Sequence, residues 1–188
     1  AIWDAGKQQL VLARDRLGIK PLYFHAGDGC FLFASELKAL SAFDEFSPAV
    51  DVEAFALYLH YQYVPGPRTI FKDTYKLLPG QYCVVSDRQD TTVETDRFWS
   101  LPAHQPDLRI DEDDALTRLD ERLTQAVSDR LISDVPLGAL LSGGIDSSLI
   151  VAMMQKVSST PVQTFTVGFE EAGYDESVWA GKIAKYLG

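Results

Sequence analysis

Short apolar runs separated by polar turns fill the first half of the chain and predict a β-rich unit. The expected strands cover residues 10–13, 22–25, 30–33, 82–85 and 91–99. Residues 26–29, between the second and third strands, read Ala-Gly-Asp-Gly and give a strong hairpin signal, because glycine tolerates the positive φ of tight turns. We therefore expect an α+β unit with a largely antiparallel sheet.

Two helices are expected within this unit, over residues 35–40 and 51–61. Asp51 stands at the start of the second helix, where its carboxylate can accept hydrogen bonds from the free backbone N–H groups. Pro65, Gly66 and Pro67 follow this helix and are expected to end it.

The second half of the chain changes to a helical pattern. Residues 101–112, which include His104, contain prolines and show little periodicity, so they are expected to be a linker. Apolar residues then recur at helical spacing from Leu116 to Leu131, after an acidic run that suits the positive end of a helix dipole. The predicted organisation is a first domain over 1–100, a linker over 101–112 and a second domain over 113–188.

A strand–helix–strand pattern lies inside the second domain. It consists of a strand over 137–141, a helix over 149–157 and a strand over 162–167. A strand, a short crossover helix and a strand within ~30 residues imply that the two strands are parallel, and ligands of such units lie at the carboxyl ends of the strands. After Asp175 a further helix is expected, with its apolar stripe interpreted as core packing: Trp179, Ile183 and Leu187.

The first of these strands runs into residues 142–147, Ser-Gly-Gly-Ile-Asp-Ser, which we call the phosphate loop. Backbone N–H groups at the start of a helix have no partner within the helix and attract anions. Gly143 and Gly144 allow positive φ and let an oxyanion approach the main chain closely, which a side chain at either position would obstruct. Asp146 would repel a phosphate unless a cation lies between them, so it is predicted to bind Mg²⁺ on the phosphates of ATP.

Better-known phosphate loops do not fit this segment. The six residues from Gly138 to Gly143 match the start of a Walker A pattern, but Gly144 and Ile145 stand where Lys and Ser or Thr are required. No GxGxxG pattern of dinucleotide-binding folds is present in the sequence. The pattern Ser-Gly-Gly-x-Asp-Ser is that of PP-loop enzymes, which split ATP into AMP and pyrophosphate. The alternative is a glycine–serine turn that only joins strand to helix.

Composition narrows the classes of function. The net charge of −10, with no basic cluster to offset it, disfavours a nucleic-acid partner. Apolar stretches fall short of the ~20 residues that span a bilayer, and no leader pattern is seen, so we expect a soluble, cytoplasmic protein without a membrane partner. Cys30 and Cys83 are expected to be buried free thiols, and His25, His60 and His104 match no metal-ligand spacing.

Several motifs, in order along the chain, resemble the glutamine-dependent asparagine synthetase family. Residues 13–23, 33–40 and 63–71 resemble the later part of its glutaminase domain. The phosphate loop, together with residues 166–169 and 174–177, resembles the start of its synthetase domain. The resemblance covers nearly the whole chain. It implies a partial, antiparallel, Ntn-hydrolase-like α+β unit followed by a partial PP-loop ATP-pyrophosphatase-like α/β unit with a parallel sheet.

This resemblance implies an amide-forming ligase. In the family, ammonia from glutamine attacks β-aspartyl-AMP, made from aspartate and ATP, and yields asparagine, AMP and pyrophosphate. By resemblance, the pyrophosphate and Mg²⁺ are bound by Ser142, Gly143, Gly144, Asp146 and Ser147. Leu141 and Val167 are expected to line the adenosine. The implied small-molecule partners are aspartate, glutamine and ATP, and a homodimer of the full-length protein is left open.

The chain departs from the family at the glutamine half. The family's nucleophile is an N-terminal Cys whose free amine serves as base, whereas position 1 here is Ala. Neither Cys30 nor Cys83 has an activating partner in the sequence, so none of the glutaminase residues is carried over and the chain, as a fragment, is expected to be inactive. Arg14 and Asp15 are better interpreted as structural, with a supporting role in the glutaminase pocket left open.

Other hypotheses stay open at this point. A related glutamine-dependent amidotransferase could act on another carboxylate, in peptide, antibiotic or cell-surface sugar biosynthesis. A GMP or NAD synthetase would explain the phosphate loop but not the first 80 residues. A truncated product would have no chemistry of its own, since a two-stranded parallel sheet rarely stands alone.

Overall fold

The structure is a computed structural model that describes residues 1–27, 29–88, 90–103, 109–171 and 173–188. Contacts between residues divide it into two units, 1–104 and 105–188. Residues 104–108 of the predicted linker, His104 among them, lie outside the described residues. Each unit is therefore described by itself.

The strands of the first unit form two antiparallel sheets. They are β1 (Ile2–Asp4), β2 (Gln9–Ala13), β3 (Tyr23–Gly27), β4 (Cys30–Ala34), β5 (Thr74–Lys76), β6 (Gln81–Arg88) and β7 (Asp90–Arg97). One sheet has the order β1-β2-β6-β7 and the other β4-β3-β5. All five predicted strands are present, so the antiparallel expectation is confirmed. The short strand β5 was not predicted, because a run of this length is too brief to show alternation.

The predicted hairpin is confirmed in its register. Strands β3 and β4 pair antiparallel, with Tyr23 opposite Ala34 and Gly27 opposite Cys30. Asp28 of the predicted turn lies outside the described residues. The adjacent Gly29 has a φ of +75°, a value that glycine adopts without strain. This is the positive φ that the turn sequence predicts.

An apolar cluster joins the two sheets of the first unit. Its buried members are Leu12, Phe24, Leu77, Cys83 and Val85. Leu12 and Cys83 are opposite each other in the β2–β6 ladder, and Phe24 enters from β3 of the other sheet. Burial of this kind removes apolar surface from water, which is the main stabilising contribution to such a core. Both thiols are free, as expected, although Cys30 is only half-buried.

Arg14 and Asp15 hold a turn together at the end of β2. The Asp15 carboxylate accepts hydrogen bonds from the backbone N–H groups of Lys20 and Ile19, which lower the pKa of that carboxyl. The Arg14 guanidinium donates to the carbonyls of Gly18, Lys20 and Leu77. These bonds support the structural interpretation of both residues.

The helices of the first unit are α1 (Leu37–Leu40) and α2 (Val52–Tyr61). Asp51 caps α2 as predicted, since its Oδ1 accepts from the N–H groups of Glu53 at 2.9 Å and Ala54 at 3.2 Å. The helix ends at Tyr61 as predicted, ahead of the segment that contains Pro65 and Pro67. Gln62, with a φ of 62°, turns the chain out of α2 before that segment begins.

The second unit contains a parallel strand pair flanked by helices. Its elements are α3 (Glu112–Ser128), β8 (Gly138–Leu140), α4 (Ile145–Val157), β9 (Gln163–Phe165) and α5 (Ser177–Leu187). Strands β8 and β9 pair parallel, with Gly138 opposite Gln163 and Leu140 opposite Phe165. Helix α4 connects them, so the strand–helix–strand pattern is present, and its assignment to the PP-loop fold stays a prediction.

Helix α4 begins four residues earlier than predicted, at Ile145 instead of residue 149. The periodic apolar positions start only at Leu149, whereas the first turn is made of Ile145, Asp146, Ser147 and Ser148. Acidic and hydroxyl residues are favourable in a first turn, because they suit the helix dipole and the free N–H groups there. Apolar periodicity therefore identified the helix but not its start.

The core of the second unit lies between β8, α4 and α5. Leu141, Val151 and Ala180 are buried, and Ile183 and Leu187 pack against them as predicted. The core prediction for Trp179 is wrong, because this residue is 62% exposed. The Lys182 ammonium lies 4.2 Å from the centroid of its ring, which is cation–π geometry on the outside of the helix. Among the described residues, no helix combines the length and apolarity needed to cross a membrane.

Candidate functional site

The phosphate loop lies between the end of β8 and the first turn of α4. Gly144 is the N-cap residue of α4 and provides no side-chain cap. The first helical hydrogen bond runs from the Ser148 N–H to the Gly144 carbonyl, at 3.1 Å. In the described part of the chain, nothing accepts from the N–H groups of Ile145, Asp146 and Ser147. This helix start therefore presents consecutive free donors and a positive dipole end, which suit an anion.

The two glycines of the loop differ in what they require. Gly143 has a φ of +82°, and a Cβ there would lie 2.8 Å from the Trp179 Cβ and 3.0 Å from the Ala180 backbone nitrogen. Gly143 therefore uses the positive φ that glycine allows. Gly144 does not use it, since it has a φ of −72° and its Cβ would meet only the Ser142 Oγ at 3.4 Å. Helix α5 thus packs directly on the loop at Gly143.

The loop hydroxyls hold the loop in shape. The Ser142 and Ser147 Oγ atoms are 2.9 Å apart, and the Ser147 hydroxyl donates to the Gly144 carbonyl at 3.2 Å. The Ser142 hydroxyl must then donate to the Ser147 Oγ, which also accepts from the Ser142 N–H at 3.3 Å. These bonds bring the predicted site residues Ser142, Gly144 and Ser147 together around one turn of backbone, before any ligand is bound.

Asp146 is exposed in the first turn of α4. Within the described residues, no group of three or more His, Cys, Asp or Glu side chains could hold a metal ion. Mg²⁺ on a nucleotide is typically held by one or two carboxylates together with phosphate oxygens and water. A single free carboxylate beside a row of backbone donors fits that kind of ion, and does not fit a metal site built from protein ligands alone.

A cavity of about 290 Å³ opens beside the loop, at the carboxyl ends of β8 and β9. It is lined by Leu140, Leu141, Ser142, Ser147, Phe165, Thr166, Val167, Phe169 and Glu176. Four of the predicted site residues are among them, namely Leu141, Ser142, Ser147 and Val167. Gly143, Gly144 and Asp146 belong to the loop but do not line the cavity.

The apolar wall of this cavity differs from the one predicted. Val167 is 67% exposed and available to a ligand, but the Leu141 side chain is 1% exposed and belongs to the core. The Leu141 N–H donates to the Phe165 carbonyl at 2.9 Å, and its own carbonyl accepts from the Thr166 Oγ1 at 2.6 Å. Leu141 therefore anchors the end of β8 against the end of β9.

Exposed apolar side chains at the cavity come from residues that sequence reasoning missed. Leu140, Phe165 and Phe169 are each more than half exposed. Successive side chains of a strand point to opposite faces, so a buried Leu141 requires Leu140 to face away from the core. That alternation, and aromatic residues at the end of a predicted parallel strand, were the available signals.

The first unit contains larger cavities, but its described residues show no comparable chemistry there. One of these cavities, of about 610 Å³, is lined in part by Arg68, whose guanidinium is paired with Asp51 at 2.9 Å and Glu53 at 2.7 Å. Burial raises the pKa of the Cys83 thiol, which makes it a poor nucleophile. His25 is buried with its Nδ1 3.0 Å from the Thr74 Oγ1, and the His60 ring contacts that of Tyr61. His104 lies outside the described residues.

Comparisons with known proteins agree with the order of the two units. The glutamine amidotransferase domain family matches residues 1–99, and the asparagine synthase family matches residues 118–188. A putative glutamine-hydrolysing asparagine synthetase of Methanocaldococcus jannaschii is 34% identical over 99% of the chain and 36% of its own length. The Bacillus subtilis glutamine-hydrolysing asparagine synthetase 1 is 34% identical over 100% of the chain and 29% of its length.

A relative with a different name is similar to the same degree. The Penicillium rubens amidase chyE is 36% identical over 100% of the chain and 29% of its own length. The chain thus spans about a third of the length of the curated relatives it matches.

Proposed function

The chain belongs to the family of glutamine-dependent asparagine synthetases, and from this we propose that the whole protein joins ammonia from glutamine to a carboxylate activated by ATP. The order of the matches supports two activities in one protein, a glutaminase half followed by a synthetase half. The observation that carries the nucleotide half is the free N–H row of Ile145, Asp146 and Ser147 beside the cavity. Free backbone donors, hydroxyls and an apolar cavity occur together at the phosphate loop.

The proposed reaction uses aspartate as acceptor. A side-chain carboxylate oxygen of aspartate forms a bond to the α-phosphorus of ATP, the bond from that phosphorus to the bridging oxygen breaks, and pyrophosphate leaves. Ammonia then forms the amide bond at the carbonyl carbon of β-aspartyl-AMP, AMP leaves, and the nitrogen loses a proton. Charge develops on the departing pyrophosphate, so preorganised donors at the phosphate loop stabilise the transition state of the first step.

Each predicted site residue has a place in this proposal. Gly143 and Gly144 let the main chain approach the pyrophosphate, and the Ser142 and Ser147 hydroxyls can turn their protons toward its oxygens. Val167 offers apolar surface to the adenosine, while Leu141 contributes its backbone position at the end of β8. Asp146 would hold Mg²⁺, which supplies positive charge to the phosphates when bound.

The glutamine half has a corresponding negative prediction. Cys83 is buried with a raised pKa, and Cys30 is half-buried within β4, so neither is placed to attack glutamine. We expect the 188 residues to release no ammonia from glutamine. The cytoplasmic location and the homodimer stay predictions.

A pyrophosphate exchange assay on the full-length protein tests the nucleotide half. We expect aspartate-dependent exchange of labelled pyrophosphate into ATP, and a loss of about tenfold or more in Asp146→Ala, since one metal-bound carboxylate is removed. Asp113→Ala is the matched control, because Asp113 also lies in the first turn of a helix, α3, away from the cavity. Undiminished exchange in Asp146→Ala would show that this carboxylate does not bind the metal.

A second candidate is the same chemistry on another carboxylate. It is favoured by the amidase relative from Penicillium rubens, which is as similar to the chain as the asparagine synthetases are. The exchange assay separates the two candidates if aspartate is replaced by a panel of peptide and sugar carboxylates. Exchange that depends on one of these and not on aspartate would select the second candidate.

A further inference from the structure

Asp175 connects two stretches of chain that wall the cavity. Its Oδ1 accepts from the Ser177 N–H at 3.0 Å, and its Oδ2 accepts from the Ser177 hydroxyl at 2.9 Å. On the other side, a Cβ on Gly168 would lie 3.6 Å from the Asp175 Oδ1. The carboxylate therefore lies between the segment that follows β9 and the start of α5.

The residues next to these contacts are the cavity walls themselves. Gly168 is flanked by Val167 and Phe169, and Glu176 stands between Asp175 and Ser177. Val167, Phe169 and Glu176 all line the cavity. Asp175 does not line it, so its influence on a ligand would pass through its neighbours.

The first turn of α5 also touches the phosphate loop. The Trp179 Cβ and the Ala180 backbone nitrogen approach Gly143 so closely that no Cβ would fit there. Residue Ser177, which Asp175 holds, begins the same turn. The seating of α5 and the shape of the loop at Gly143 are therefore coupled through direct contacts.

We propose that Asp175 is a positioning residue of the nucleotide cavity, which holds Phe169 and Glu176 in place and seats α5 against Gly143. This inference rests on the proposed nucleotide site. Supporting it, the hydroxyl and N–H of Ser177, and the N–H of Phe169, lower the pKa of the Asp175 carboxyl, so the ionised acceptor is maintained. A wall held by charge-assisted hydrogen bonds is preorganised, and a preorganised site loses less entropy when ATP binds.

The test measures ATP affinity by calorimetry and local amide exchange by mass spectrometry on the full chain. Asp175→Ala is expected to weaken ATP binding about tenfold and to speed amide exchange in the peptides that contain Phe169 and Ser177. Asp175→Asn keeps one carbonyl acceptor and should recover part of the affinity, whereas Ser177→Ala, which keeps its N–H, should lose only about twofold to threefold.

The matched control is Asp111→Ala. Asp111 caps α3 by accepting from the Asp114 N–H at 2.8 Å and has no place at the cavity, so its loss should leave ATP affinity unchanged. If the unaltered chain binds ATP and Asp175→Ala binds it equally well, the positioning role is overturned while the proposed function stands. If the unaltered chain binds no ATP, the nucleotide site fails and this inference fails with it.

Discussion

The helices α2 and α4 begin in opposite ways. At α2, the Asp51 carboxylate accepts from the first free N–H groups, and the Arg68 guanidinium pairs with the same carboxylate. At α4, a glycine occupies the N-cap position and the N–H groups of Ile145, Asp146 and Ser147 have no partner among the described residues. A helix start without a cap is less stable, because its first N–H groups lack an acceptor. Such a start beside a cavity is what we expect where the N–H groups bind a ligand.

The largest effect is expected from filling the close contact at the α4 start. Gly143→Ala forces an unfavourable φ and places a Cβ against Trp179, so the free energy of unfolding should fall by about 2 kcal/mol or more, with loss of ATP binding. Gly144→Ala is the matched control and should change stability by less than about 1 kcal/mol. Chemical denaturation of both variants checks this, and equal losses would contradict the distinction between the two glycines.

Converting the α4 start into a capped one should reduce affinity while preserving the fold. Gly144→Asp places a carboxylate where it can accept from the free N–H groups, as Asp51 does at α2. Stability should rise by a few tenths of a kcal/mol, whereas ATP affinity should fall about tenfold or more through competition and charge repulsion. Gly144→Asn supplies a cap without the charge and separates the two causes. Unchanged affinity in both variants would show that these N–H groups do not bind phosphate.

The smallest effect is expected from removing the cap of α2. Asp51→Ala should lower the unfolding temperature by a few degrees, since N–H groups lose their acceptor, and should leave ATP binding unchanged. A calorimetric melt and an ATP titration check both halves of this expectation. A loss of ATP affinity in this variant would contradict the assignment of a purely structural role to the α2 start.

The same cap predicts a pH dependence. The N–H of Ala54, with that of Glu53 and the Arg68 guanidinium, lowers the pKa of the Asp51 carboxyl below its ordinary value of 3.8. A carboxyl whose pKa is lower in the folded state stabilises the folded protein at any pH above the pKa of the unfolded state. This contribution is lost as the pH falls through the lowered pKa. Asp51→Asn should lack that component of the acid transition, and an unchanged transition would contradict it.

The sequence predicted elements better than it predicted backbone hydrogen bonding. Alternation and turn residues identified β2, β3, β4, β6 and β7 of the two antiparallel sheets, because buried and exposed side chains alternate along a strand. The start of α4 was placed four residues late, because its largely polar first turn does not show the apolar periodicity of a helix. The strand pair β8–β9 was identified. Before the burial of Leu141 is known, the alternation of a three-residue strand is too short to predict which of Leu140 and Leu141 faces the core.

Site residues could be predicted where the backbone requires one residue type. They were harder to predict where tertiary packing decides which side chains reach the cavity. Gly143 followed from its motif, and the structure shows the contact that excludes a side chain. Glu176 reaches the cavity because α5 starts beside it, and no local sequence pattern predicts that placement. Trp179 matched an apolar stripe, yet its position beside Gly143 leaves most of it exposed.

The contact between Gly143 and α5 also bears on the order in which the protein is made. A ribosome delivers the phosphate loop well before it delivers Trp179 and Ala180, so the motif leaves the tunnel without the surface that shapes it. Until α5 has been synthesised, the nascent chain contains the phosphate loop without the helix that packs against Gly143. Synthesis that stalls between the two would produce a chain that contains the Ser-Gly-Gly-x-Asp-Ser motif but lacks the α5 residues that pack against Gly143.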